Sequence, residues 1–279
     1  MKTDLIYGVE DRPPFKDALF AALQHLLAIF VAIITPPLII AGALKLDVEK
    51  TSFLVSMSLF ASGVSTFIQC RRIGPIGARL LCIQGTSFSF IGPIIATGLV
   101  GGLPLIFGSC IAAAPIEMVV SRTFKYLRNI ITPLVSGIVV LLIGLSLIKV
   151  GIVSCGGGYS AMDDGSFGSW ENLSIAALVL LSVLFFNRCK NKYLRMSSIV
   201  FGLCLGYGLA FALGKVNMSA LNVEMLMSFN IPQPFKYGVD FNISSFIAIG
   251  LVYLITAIEA TGDVTANSMI SGLPIEGDS

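Results

Sequence analysis

The chain has 279 residues, 55% hydrophobic and 12% charged, with a mean hydropathy of +0.89 and a net charge of +2. Soluble domains carry roughly a quarter charged residues, so this composition excludes an ordinary soluble domain and implies repeated membrane crossing. Basic residues scattered through short loops leave no footprint for nucleic acid, so none is expected as a partner; the lipid bilayer is.

The first 16 residues are mixed in charge and contain Pro13-Pro14. The apolar run that follows is too long for a signal-peptide core and shows no clear cleavage site, so it reads as a retained first span. A span needs about 20 apolar residues. The candidates are 17–43, 52–70, 103–121, 130–149, 172–187, 196–214 and 244–262. A shorter segment, 80–98, is broken by glycines, and including it gives eight crossings. With the N-terminus in the cytoplasm, alternation puts thirteen of the 18 Lys and Arg on the cytoplasmic side and leaves Lys45, Lys50, Lys149, Lys215 and Lys236 opposite. That asymmetry follows the positive-inside rule and is scrambled if 80–98 does not cross.

The first span carries the only histidine, His25, beside Gln24, with Pro36-Pro37 further on. The prolines remove two backbone donors and predict a kink. His25 is either a buried histidine bonded to a neighbouring helix or a group that orients a site. In 80–98, Leu80 to Gln84 can be extended, Gly85 breaks the segment, and Thr86 or Ser87 can cap a helix starting there. A half-helix beginning at membrane depth turns free N–H groups and a positive dipole end into the protein, as discontinuous helices do in secondary transporters. Phe88 and Phe90 lie close to that end. They either offer a stacking face for a flat heterocycle or face lipid.

Glu117 lies near Arg122 and Lys125 and is expected to pair at the membrane surface. The 150–171 loop, with Gly156-Gly-Gly158 and Asp163-Asp164, reads as flexible, acidic and exterior. Gly202, Gly206 and Gly208 predict close helix contacts. The 215–243 loop is long enough to separate two structural halves. After it comes Thr256-Ala-Ile-Glu-Ala-Thr-Gly-Asp-Val-Thr265, which places Glu259 and Asp263 four residues apart on one face at the end of an apolar run. An ionised carboxylate at membrane depth costs several kcal/mol, so these acids mark either a substrate or proton site or the solvated mouth of the helix. The six cysteines show no CxxC pair and no metal-ligand spacing, so free thiols and no metal are expected. No nucleophile elbow, P-loop, HExxH or GxGxxG-helix motif is present, and no enzyme class is indicated.

Gln24-His25, Gly85-Thr-Ser-Phe88 and Glu259-Ala-Thr-Gly-Asp-Val-Thr265 together resemble the nucleobase–ascorbate transporter family, in particular its bacterial xanthine and uric acid permeases. Glu10-Asp-Arg-Pro-Pro14, Ser62-Gly63, Ile130-Ile-Thr-Pro-Leu-Val-Ser-Gly137 and Gly156-Gly-Gly-Tyr159 extend the resemblance over nearly the whole chain. It implies an all-α polytopic fold of fourteen spans in a 7+7 inverted repeat, of which eight are present here. The broken third span would contain a short extended strand. Residues 1–16 would be a cytoplasmic N-terminus, 17–121 core-domain spans 1–4 and 130–214 gate-domain spans 5–7. Residues 215–243 would be the exterior loop linking the repeats, and 244–279 span 8 with a truncated end. A homodimer in the bacterial inner membrane would take up a purine nucleobase, xanthine or uric acid, with a proton as coupling ion and no cofactor. Glu259, Ser87 and Phe88 would bind substrate; His25, Gln24 and Asp263 would orient the site or couple the proton. The chain stops after span 8, so weak or no transport by it alone is expected. A uracil permease, an anion transporter of the same fold and an inactive membrane fragment are the rival readings.

Overall fold

Apolar runs with their backbone polar groups bonded internally become helices, because lipid offers those groups no partner. The computed structural model describes residues 7–8, 11–74, 76–127, 133–190, 194–195, 197–216, 232–233 and 235–271. Glu10, most of the expected linking loop (217–231) and the final residues 272–279 lie outside the described residues.

Helix α1 spans Phe15–Ala43 and runs through Pro36 and Pro37. Helix α2 spans Val48–Arg71, and its first turn is capped by Asp47, whose carboxylate accepts from the Lys50 amide at 2.8 Å. A 3-10 turn, Phe88–Phe90, leads into α3, Ile91–Leu127. Helix α4 (Pro133–Cys155) begins on a proline, where the missing N–H costs nothing. The short α5 (Gly158–Asp163), α6 (Trp170–Asn187), α7 (Ser198–Ala212) and α8 (Ile243–Ile270) follow. Asn242 caps α8, its side-chain oxygen accepting from the Ser244 amide at 2.8 Å.

Among the described residues, five stretches are long and apolar enough to cross a membrane: Phe15–Ala43, Val48–Arg71, Phe88–Thr123, Trp170–Asn187 and Ile243–Val264. Helix α7 is apolar but shorter. Large side chains such as Phe60, Leu99, Leu181 and Phe185 are exposed along these helices, as lipid-facing surfaces require. The chain is an all-helical, multi-pass membrane protein.

The helical part of the expected third span, 91–98, and the fourth, 103–121, fall within one element, because α3 is interrupted rather than ended. Gly101 and Gly102 leave helical geometry, Gly102 at φ 66°, a conformation open to glycine. A Cβ placed on Gly98 would lie 2.9 Å from Ile106 Cδ1. Eight residues of continuous helix span about 12 Å, so the chain folds back on itself at the glycine pair.

The short strand expected near Leu80–Gln84 does not form, and no strand occurs among the described residues. The backbone is extended at Ser87 (φ −86°, ψ 131°), but a ladder needs a partner edge and none is described here. Side chains supply the bonds instead. The Gln84 amide donates to Thr66 Oγ1 at 2.9 Å, Ser62 Oγ donates to the Gln84 carbonyl, and Asn267 Nδ2 donates to the Leu81 carbonyl at 2.9 Å.

The chain forms two compact units, one of residues 1–13, 36–147 and 233–279, the other of residues 14–35 and 148–232. In the first, α8 packs on α3, with Ile116 Cδ1 2.7 Å from a Cβ built on Gly250 and with Ile106, Ala113, Ile249 and Val252 buried. The 235–242 segment lies against α3: the Asp240 amide donates to the Pro104 carbonyl at 3.0 Å, and the Asp240 carbonyl occupies the space a Cβ on Gly108 would need. Lys236 pairs with Glu49 at 3.1 Å and sits over the Phe53 and Tyr237 rings.

In the second unit, α6 packs on α7. Val183 closes on Gly202 and Val179 on Gly206, as the small-residue spacing predicts, whereas Gly208 has nothing within 4 Å of its Cβ position. The loop expected to be flexible is instead drawn tight. Asn172 Nδ2 donates to the Gly156 and Ser166 carbonyls at 2.9 and 3.0 Å, and Lys215 Nζ donates to Asn172 Oδ1 at 2.9 Å. Asp164 accepts from the Ser166 amide at 2.8 Å, and bonding from Ser166 holds its carboxyl below the usual range.

Candidate functional site: a carboxylate-lined cavity in the membrane domain

A cavity of about 530 Å³ lies within the first unit. Its walls come from the end of α2, the extended 82–87 segment, the 3-10 turn, the second half of α3 and one face of α8. The α8 face follows from helical periodicity: Thr256, Glu259, Ala260, Asp263 and Val264 recur every three or four residues and all line the cavity. Helix α8 continues to Ile270, so Asp263 is followed by further helix; its side chain is exposed, and the apolar stretch long enough to cross a membrane ends at Val264.

Facing α8 is the start of the helix that becomes α3. Ser87 is its cap, accepting from the Ser89 amide at 3.3 Å. Ser89 Oγ and Glu259 Oε2 are both buried and without a hydrogen-bond partner. Phe90 forms part of the wall. Its ring meets Tyr253 edge-on, with centroids 4.9 Å apart, and the Tyr253 hydroxyl donates to the Cys110 carbonyl at 3.4 Å. The ring is thus held by α8 and backed by α3.

Of the residues singled out from sequence, Glu259, Asp263 and Ser87 meet at this cavity. Phe88 begins the 3-10 turn half-buried and is not part of the wall; Phe90, two residues on, is. Gln24 and His25 lie on α1 in the other unit. There His25 is exposed, and Gln24 Nε2 is buried without a partner. Glu117 was expected to pair at the surface with Arg122 or Lys125; the Lys125 side chain lies outside the described residues. Among the described residues Glu117 forms no ion pair, and it lines the cavity, because helix phase turns it toward α8. Gln69, Gln84 and Thr86 add neutral polar groups, and no Lys, Arg or His is in the lining.

Apolar helices, one broken at a polar cap, around a polar cavity within the spans define a class: a multi-pass membrane protein built around an embedded site. The chain belongs to the nucleobase–ascorbate transporter family, and the family description "Permease family" matches residues 16–279. It is 47% identical to the xanthine permease XanQ of Escherichia coli K12 over 99% of this chain and 61% of that protein. It is 46% identical to the xanthine permease XanP of the same organism, with the same shares. Identity to the uric acid permease PucJ of Bacillus subtilis is 34%, over 91% of this chain and 57% of that protein. The chain therefore spans about three-fifths of the length of these curated relatives. The family groups permeases, not enzymes.

Proposed function

We propose that the protein takes up a purine nucleobase, xanthine or uric acid, across the cytoplasmic membrane together with a proton. The observation that carries this reading is the cavity in which α8 acids face a capped helix start. An acid accepts from the N–H edge of a purine, the helix start offers donors to its carbonyls, and Phe90 offers a ring face. The names of the relatives supply the substrate class. Glu259 binds the ring, Ser87 lies against it at the helix start, and Asp263 supports proton coupling. Phe88 and Phe90 are the two aromatic candidates, and the wall favours Phe90. Gln24 and His25 orient the site.

Proton coupling follows from the cost of charge in the membrane: protonating an acid removes that cost and lets the loaded carrier reorient. The same reading places the N-terminus in the cytoplasm and makes the working form a homodimer. It assigns α1 to α3 and α8 to a core domain and α4, α6 and α7 to a gate, within a 7+7 inverted repeat. The test is uptake of radiolabelled xanthine by cells that lack their own purine carriers and express the intact gene product. Saturable uptake, competed by unlabelled xanthine and insensitive to uracil, supports the reading; uptake of uracil alone replaces it.

A further inference from the structure

Three carboxylates line the cavity: Glu117 from α3, and Glu259 and Asp263 from α8. Among the lining residues the only other group with a titratable proton is the Cys82 thiol, and Tyr253 stands behind Phe90. Nothing in the wall carries a positive side chain. Three acids exceed what one neutral purine and one transported proton require. Glu259 is placed to bind and Asp263 shares its helix face, but Glu117 belongs to neither role. It comes from a different helix, it has no ion-pair partner among the described residues, and its side chain faces the same space.

We propose that Glu117 is a charge-selectivity residue: its carboxylate makes the cavity accept purines in the neutral form and turn away purine anions. This rests on the purine-uptake reading and sharpens it. A purine ring whose N–H groups are all present brings no net charge into the cavity and finds its acceptor at Glu259. A purine that has lost a proton, as uric acid largely has at neutral pH, brings negative charge into a low-dielectric space already occupied by carboxylates, and like charges there repel strongly. The backbone N–H groups at the Ser87 helix start soften that repulsion for an anion bound at one edge only. Xanthine, largely neutral under the same conditions, meets no such barrier. Discrimination of this kind works by rejection as well as attraction, and Glu117 is the rejecting element.

The experiment compares wild type, Glu117→Gln and Glu117→Asp in the intact gene product, each quantified in the membrane and read by radiolabelled xanthine uptake. Uric acid serves as competitor. In the wild type, uric acid is expected to inhibit about tenfold more weakly than unlabelled xanthine, the scale set by one like charge in a partly screened site. Glu117→Gln should strengthen inhibition by uric acid several-fold and leave the KM for xanthine within about twofold. Glu117→Asp, which keeps the charge, should preserve the wild-type ratio. An unchanged ratio in Glu117→Gln overturns the assignment, as does the same change in Glu117→Asp or a parallel change for both ligands. Absence of any purine uptake by the wild type overturns the function itself and this assignment with it. If Glu117→Gln does not reach the membrane, the wild-type and Glu117→Asp ratios decide, and equal inhibition by the two purines in either overturns the proposal.

Discussion

At Glu259 one carboxylate oxygen is buried with no donor, an arrangement that costs a few kcal/mol unless something satisfies it. Glu259→Gln keeps the shape and removes the charge. The expected outcome is normal membrane insertion, thermal stability equal to or above wild type, and xanthine uptake reduced at least about tenfold. Wild-type kinetics in that variant would refute the role. Phe90→Leu removes a ring face from the wall and should raise the KM for xanthine several-fold, on the scale of about 1 kcal/mol for an aromatic pair. Phe88→Leu, outside the wall, should change it less, and the reverse order would return the stacking role to Phe88. Glu259 and Asp263 were legible in the sequence because acids four residues apart after an apolar run are costly anywhere but at a cavity or a helix mouth. Ser87 was legible because a hydroxyl beside a glycine break is a cap. Glu117 was not, since nearby basic residues offered a cheaper explanation and only packing against α8 shows which way its helix face turns. Gln69, next to Arg71 and Arg72, gave no signal.

Among the elements, the extended segment that forms one wall is held by hydroxyls and an amide rather than by a ladder. Removing both anchors in Ser62→Ala/Thr66→Ala should destabilise the protein by about 1 kcal/mol per bond and weaken xanthine binding in parallel. A thermal-shift measurement with and without xanthine checks both effects. Gly202→Leu drives a side chain into Val183 and should separate α6 from α7, lowering thermal stability without a selective change in ligand preference. By contrast the Lys236–Glu49 pair is largely exposed, and such pairs contribute little. The carboxylate raises Lys236 above the ordinary lysine value. Its contribution is therefore complete below that value and lost only as pH rises through the raised one, so stability should show no step from this pair across the neutral range. Helix positions were readable because apolar runs of span length have few other stable forms in lipid. Whether an extended segment pairs was not, because pairing depends on an edge supplied from elsewhere. The tightness of the 150–171 loop was hidden too, since it depends on one amide, Asn172, reaching back to Gly156.

For the molecule as a whole, a proton-coupled carrier should lose net accumulation of xanthine when a protonophore collapses the gradient, yet still exchange labelled for unlabelled xanthine across the membrane. Accumulation that survives the protonophore would remove the proton from the mechanism. The reversal at Gly101–Gly102 bears on how the protein is made. No polar loop separates the two arms of α3, so neither arm can wait at the membrane surface while the other enters the bilayer. The first arm, capped by Ser87 and lacking a full-length apolar run of its own, would be a poor substrate for the insertion machinery by itself. The two arms are expected to enter as one hairpin, with the second carrying the first, and a ribosome paused before the second arm should leave the first outside the lipid.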